Sequence, residues 1–249
     1  MALAAVIAPA CSLGAGTGTV KGSLNVPDCW SGPFDMHPDF FAAAPTSATD
    51  SLQIRIQHGG DYETFSDGVM ILVDDAGELR GDPAGDGSLR PSLLGTTLVV
   101  ALPVGVTPPG VPVTPRASQA IVHAALYLNA TCRTLNDALY AVDAVTTNAD
   151  GSCTVPDGGS PMIACGAGAA LPPGTAVGTS TIVFNALFDG NPDEPNTANL
   201  LTDATFHFYL ADPRESCPGG LGPPPPCRGE LTGNFHFYFE RGRPAQPFP

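Results

Sequence analysis

The chain has 249 residues, 24 of them acidic and 10 basic, for a formal net charge of −14. It carries 29 Gly and 27 Pro, and only 14% of its residues are charged, against about 25% in an average soluble domain. The shortage of Lys and Arg excludes a nucleic-acid binder that neutralises phosphates. The Gly and Pro content excludes a coiled coil, and 43% hydrophobic residues are enough to fill a core.

The first ten residues, Met-Ala-Leu-Ala-Ala-Val-Ile-Ala-Pro-Ala, are small and apolar, as at the end of a secretory signal peptide. Ala8-Pro9-Ala10-Cys11 resembles the lipobox of bacterial lipoproteins. In that family the Cys is lipidated and becomes the mature N-terminus, so the resemblance implies a lipid on Cys11. The alternative is a plain signal peptide cut near Ala10. The Gly-rich stretch after Cys11 reads as a tether. The expected organisation is a signal peptide remnant over 1–10, a flexible tether over 11–18 and a single all-β domain over 19–249. Ten apolar residues fall well short of the roughly 20 that span a bilayer, so any membrane attachment here is through lipid. Ser12 stands where Asp favours inner-membrane retention in well-studied lipoproteins, and the resemblance therefore implies the outer membrane. Otherwise the chain is expected to be secreted or periplasmic.

Beyond the tether, period-2 alternation predicts strands over 19–26, 51–57, 68–74, 96–102, 120–128, 138–146, 179–188, 204–210 and 230–240. Leu52, Ile54 and Ile56 alternate with Gln53, Arg55 and Gln57, the pattern of a strand with one face in the core and one toward solvent. Asp75-Ala76-Gly77 and Asp189-Gly190-Asn191-Pro192 are turn signals. The segments 39–44 and 194–201 each have room for a turn or two of helix. About nine strands with long Gly- and Pro-rich connections predict an antiparallel β-sandwich or a partly open barrel.

Phe206-His207-Phe208-Tyr209-Leu210 echoes Phe235-His236-Phe237-Tyr238-Phe239. The two segments are expected to pair as an antiparallel hairpin. Core face must oppose core face, so paired residue numbers should sum to an odd value. Phe206 across from Phe237 or Phe239 gives 443 or 445. At 443, His207 and His236 sit opposite each other, a pair able to ligate a transition metal. Aromatic cross-strand packing explains the same pattern without a metal.

Seven Cys occupy positions 11, 29, 132, 153, 165, 217 and 227. None forms a CxxC or lies at zinc-finger spacing from a His. With Cys11 set aside as the lipidation site, Cys217 is expected to pair with Cys227 and Cys153 with Cys165. That leaves Cys29 for Cys132. Such bonds persist outside the cytosol.

Asp189, Asn191 and Asp193 take alternate places, as do the first ligands of an EF-hand. Glu194 and Leu200 then stand where its Gly and bidentate Glu belong. The EF-hand is excluded, and a different calcium loop is kept as a candidate beside the plain reading of solvated loop charge. Trp30, beside Cys29, reads as a packing plug or, alternatively, a sugar-stacking residue. Gly-x-Ser-x-Gly is absent, and no nucleophile with partner His and acid emerges. The expected role is non-catalytic: a structural or ligand-binding envelope protein with no obligatory cofactor. Its expected partners are a membrane, through the lipid, and an extracellular polymer or protein. A calcium-assisted carbohydrate- or protein-binding module is the alternative, and an extracellular hydrolase the third reading.

Overall fold

The chain is described here from a computed structural model over residues 16–46, 50–59, 66–102, 121–132, 138–142, 145–147, 153–154, 176–177, 179–191, 195–214 and 228–239. Its strands are β1 (Gly16–Val26), β2 (Trp30–Met36), β3 (Phe40–Thr46), β4 (Ser51–His58), β5 (Asp67–Val73), β6 (Leu98–Val99) and β7 (Val122–Leu128). The series continues with β8 (Leu139–Ala141), β9 (Val145–Thr147), β10 (Cys153–Thr154), β11 (Ala176–Val177), β12 (Thr181–Ala186), β13 (Leu201–Ala211) and β14 (Gly229–Tyr238). Among the described residues, one short α-helix, α1 (Ala76–Arg80), follows β5, and a single 3-10 turn, Thr197–Leu200, falls in the segment 194–201 where helix was expected.

Every strand pairing named here is antiparallel. The main path runs β2-β1-β14-β13-β8-β7-β5-β4-β3, with β12 beside β13 and β6 beside β12. This sheet curls strongly into a half-barrel. The curl brings Phe41 of β3 onto Phe237 of β14, with ring centroids 5.8 Å apart and nearly parallel. Two facing layers therefore share one core. β4, β5 and β7 supply Leu52, Ile54, Ile56, Val69, Ile71, Leu126 and Leu128 to it. β12, β13 and β14 supply Phe184, Phe206, Phe208, Phe235 and Phe237. A separate small sheet has the order β10-β9-β11.

Four expectations need correction. β1 begins at Gly16, and Gly16, Thr17 and Gly18 pair with Phe237, His236 and Phe235; these three residues are strand, not tether. The segment 39–44 is strand β3, not helix, because it completes a ladder on β4 and buries Phe40, Phe41 and Ala43. The single strand expected over 138–146 is two, with β8 in the large sheet and β9 in the small one. Asp75-Ala76-Gly77 opens α1 instead of a plain turn. The Asp75 side chain accepts from Glu78 N, and Gly81 closes the helix at φ 82°, the usual start and stop signals.

β13 and β14 pair as expected, and the sum of paired numbers is odd, but it is 439: Phe206 faces Gly233 and His207 faces Thr232. The physical reason is volume. A Cβ on Gly233 would lie 2.4 Å from Phe206 Cζ and 2.4 Å from Thr19 O. The absent side chain of Gly233 leaves room for the Phe206 ring at this row, a fit that matching the two aromatic motifs does not supply.

Cys29 and Cys132 form a disulfide with Cα atoms 5.5 Å apart. It joins the β1–β2 turn to the end of β7. Cys11, Cys165, Cys217 and Cys227 lie outside the described residues, and of Cys153 only the strand is described, so the other two expected bridges are not placed.

Candidate functional site

The outer faces of β4, β5 and β7 form the one cleft described below. Strand register lines Gln57 up with Gly68, and Gly68 with Tyr127. Glycine thus occupies the middle of a three-strand row flanked by an amide and a phenol. A Cβ at Gly68 would come within 2.9 Å of Gln57 Cβ, so the missing side chain is what opens the hollow. The next row is Arg55, Met70 and Ala125. Ser66 and Asn129 complete the lining, with Val69. Alternation explains the set: Arg55 with Gln57, Ser66 with Gly68 and Met70, and Tyr127 with Asn129 are each spaced by two and share the outer face.

The cleft is small, with about 10 Å³ open to a water-sized group. The inner space therefore admits one water-sized group. Gln57 is only 2% exposed. Its Nε2 donates to Gly59 O at 2.8 Å, and its Oε1 has no hydrogen-bond partner. A buried acceptor without a donor is costly, on the order of 1–3 kcal/mol. Burial pushes the Tyr127 phenol well above its ordinary range; Tyr140 adds to this and the charge of Arg55 opposes it. Burial also lowers the Arg55 guanidinium, against the effect of Tyr127. The lining thus includes a half-desolvated cation and a protonated phenol, and the Gln57 acceptor is buried beside them.

Close by, His123 fastens the seam between the layers. Its Nδ1 lies 2.7 Å from Ala101 O and its Nε2 3.0 Å from Asp74 Oδ2. Asp67 accepts from Ala130 N, Thr131 N and the Thr131 hydroxyl, which fixes the end of β7 that carries Asn129 and Cys132.

The metal candidates are not assembled as expected. His207 and His236 share the outer face of β13 and β14, but the 439 register separates them by four places, about 13 Å along the strand direction. Each instead meets a carboxylate: His207 Nε2 lies 2.6 Å from Glu230 Oε1, and His236 Nδ1 lies 2.8 Å from Asp203 Oδ2. Asp189 Oδ1 accepts from Asn191 N at 2.8 Å, an ordinary Asx turn; Asp193 lies outside the described residues. Among the described residues, no group of three His, Cys, Asp or Glu is placed to hold a metal ion. Trp30 is 37% exposed and meets Phe34 edge to face at 6.2 Å, which is more open than a packing plug. Cys11 lies outside the described residues.

Sequence reasoning placed Arg55 and Gln57 on the correct face but expected that face in water. It singled out Asn129 only within the glycosylation pattern Asn129-Ala130-Thr131, and not Tyr127, which only the sheet register brings into line with Gln57. The chain matches no family model, no curated protein and no solved structure.

Proposed function

We propose that the chain is an extracytoplasmic ligand-binding module, held at a bacterial cell envelope by lipid on Cys11, that binds an extracellular polymer or protein without transforming it. The observation that carries this reading is the Cys29–Cys132 disulfide, which ties together parts of the chain 103 residues apart. Such bonds are stable in oxidising compartments and rare in the cytosol. The apolar residues before Cys11 and the lipobox resemblance agree with that compartment, and the outer membrane is the favoured leaflet system because Asp does not follow Cys11.

The experiment is intact mass of the mature protein from a bacterial membrane fraction. The expected chain begins at Cys11 with added acyl mass, and Cys11→Ser moves the protein to the soluble fraction. An unacylated chain, or membrane retention of the Ser variant, overturns the anchor.

A further inference from the structure

We propose that the contact between His123 and Asp74 is a proton-operated clasp, closed when the ring carries two protons and open when it carries one. A neutral imidazole has one donor nitrogen and one acceptor nitrogen, whereas both donate in the cation. His123 on β7 is 5% exposed, and each of its nitrogens faces an atom that accepts. Nδ1 lies 2.7 Å from the carbonyl oxygen of Ala101, and Nε2 lies 3.0 Å from Asp74 Oδ2; an ionised carboxylate donates nothing. Two hydrogen bonds therefore need two ring protons, and the neutral ring gives up one of the two contacts. Burial decides which. Ala101 is 2% exposed, so its carbonyl has little water to turn to, and a buried acceptor left unmet is costly. The Asp74 side chain is 50% exposed, so water takes the place of the ring there. The neutral ring accordingly keeps its proton on Nδ1. Its bare Nε2 then faces the carboxylate lone pair to lone pair, and Asp74 swings toward solvent. Asp74 precedes Asp75, which caps α1 and pairs with Arg90 at 3.0 Å, so the clasp joins β7 to the root of α1. Among the described residues, Asp74 is the charged group within ion-pair reach of the ring. The ring's own row on β4 and β5, Gln53 and Leu72, is uncharged. Arg55 on β4, Tyr127 on β7 and Tyr140 on β8 stand in other rows of that face, and Tyr209 on β13 lies across β8. The clasp involves neither Cys11 nor the cleft lining.

The test is NMR of the ¹⁵N-labelled full chain between about pH 5 and 8, the range in which imidazole changes charge. Both ring nitrogens of His123 should bear protons at the acid end. At the alkaline end only Nδ1 should, with Nε2 bare. The backbone amides of Asp75 and Ala76 should shift along the same titration curve, because Asp74 leaves the ring as the proton does. Asp74→Asn supplies the contrast. Its carboxamide accepts from the charged ring and, turned over, donates to the neutral one. In that variant the ring should still titrate, while the Asp75 and Ala76 amides lose most of their shift. Four results each overturn the clasp: the ring keeps one protonation state throughout the range, the neutral ring holds its proton on Nε2, the two amides follow a different midpoint, or they shift as far in Asp74→Asn as in the wild type.

Discussion

Asp212 is a carboxylate held almost out of water, at 8% exposure. Burial pushes its carboxyl up. The hydrogen bonds from the Arg214 side chain and backbone, with the charges of Arg214 and Arg228, outweigh that and hold it below the usual carboxylate range. The contacts are close: Arg214 N and Nε at 2.9 Å and Nη2 at 2.6 Å. Arg228 is itself buried and donates to Asn25 O, so the Asp212 charge also offsets a cation that has lost water. A carboxyl depressed in the folded state is matched by an unfolded state that binds a proton more readily. Its stabilisation is present above about pH 3.9, the ordinary Asp value, and is lost as pH falls through the lower folded value. Asp212→Asn should therefore be less stable than the wild type at pH 6, by about 1–3 kcal/mol, and the gap should narrow between about pH 4 and 2. Urea titrations across that range measure it; a gap that stays constant with pH would mean that Asp212 does not couple to acid unfolding.

At the scale of elements, alternation made β4, β13 and β14 legible, because each buries one face under a continuous core. β3 was not. Its Phe-Phe-Ala-Ala-Ala run has no period-2 signal and good helix propensity, and only its ladder on β4 makes it strand. α1 was legible in principle, with Asp75, Glu78 and Gly81 in cap positions, but five residues are too few for a periodic pattern. The parity of the β13–β14 register followed from the core face, whereas its value depended on a steric match between Phe206 and Gly233 that neither segment displays alone. The cleft has the same character: Gly68 opens it only because β4 and β7 flank β5 at that row. The register can be checked directly. Thr205 faces Asn234 on the outer side, and opposed residues in an antiparallel pair lie within disulfide reach. Oxidised Thr205→Cys/Asn234→Cys should form the cross-strand bond in high yield, seen as a mass loss of about two hydrogens, with both cysteines in one disulfide-linked peptide. His207→Cys/His236→Cys should not form it. Bonding of the second pair in the folded monomer would restore the 443 register.

For the molecule as a whole, sheet order and chain order diverge. β2 and β3 are neighbours in sequence yet stand at the two ends of the main strand path among the described residues. Among the described residues, β2 is paired along its length only with β1, and Pro33 within it blunts further pairing, as suits a sheet edge. Cys29, just before β2, fastens that edge to the end of β7, where Cys132 is 2% exposed and Asp67 clamps the adjoining turn. The bond closes a loop of 103 residues' separation. Chain entropy assigns about 4.7 kcal/mol to closing a 100-residue loop, and measured native bridges contribute about 2–5 kcal/mol. Cys29→Ala/Cys132→Ala should therefore lose about 3–5 kcal/mol in urea unfolding while keeping the native far-ultraviolet spectrum, because the substitutions leave the ladders intact. Using the double variant rather than a reductant confines the change to this bridge. Trp30, the only tryptophan, adjoins Cys29 and reports the edge by its fluorescence. If the edge alone frays, Trp30 should respond at lower urea than the bulk β signal. Coincident transitions with a loss below about 1 kcal/mol would mean that the two layers stay together in the unfolded chain without the bond, and that the disulfide does not secure the open side of the half-barrel.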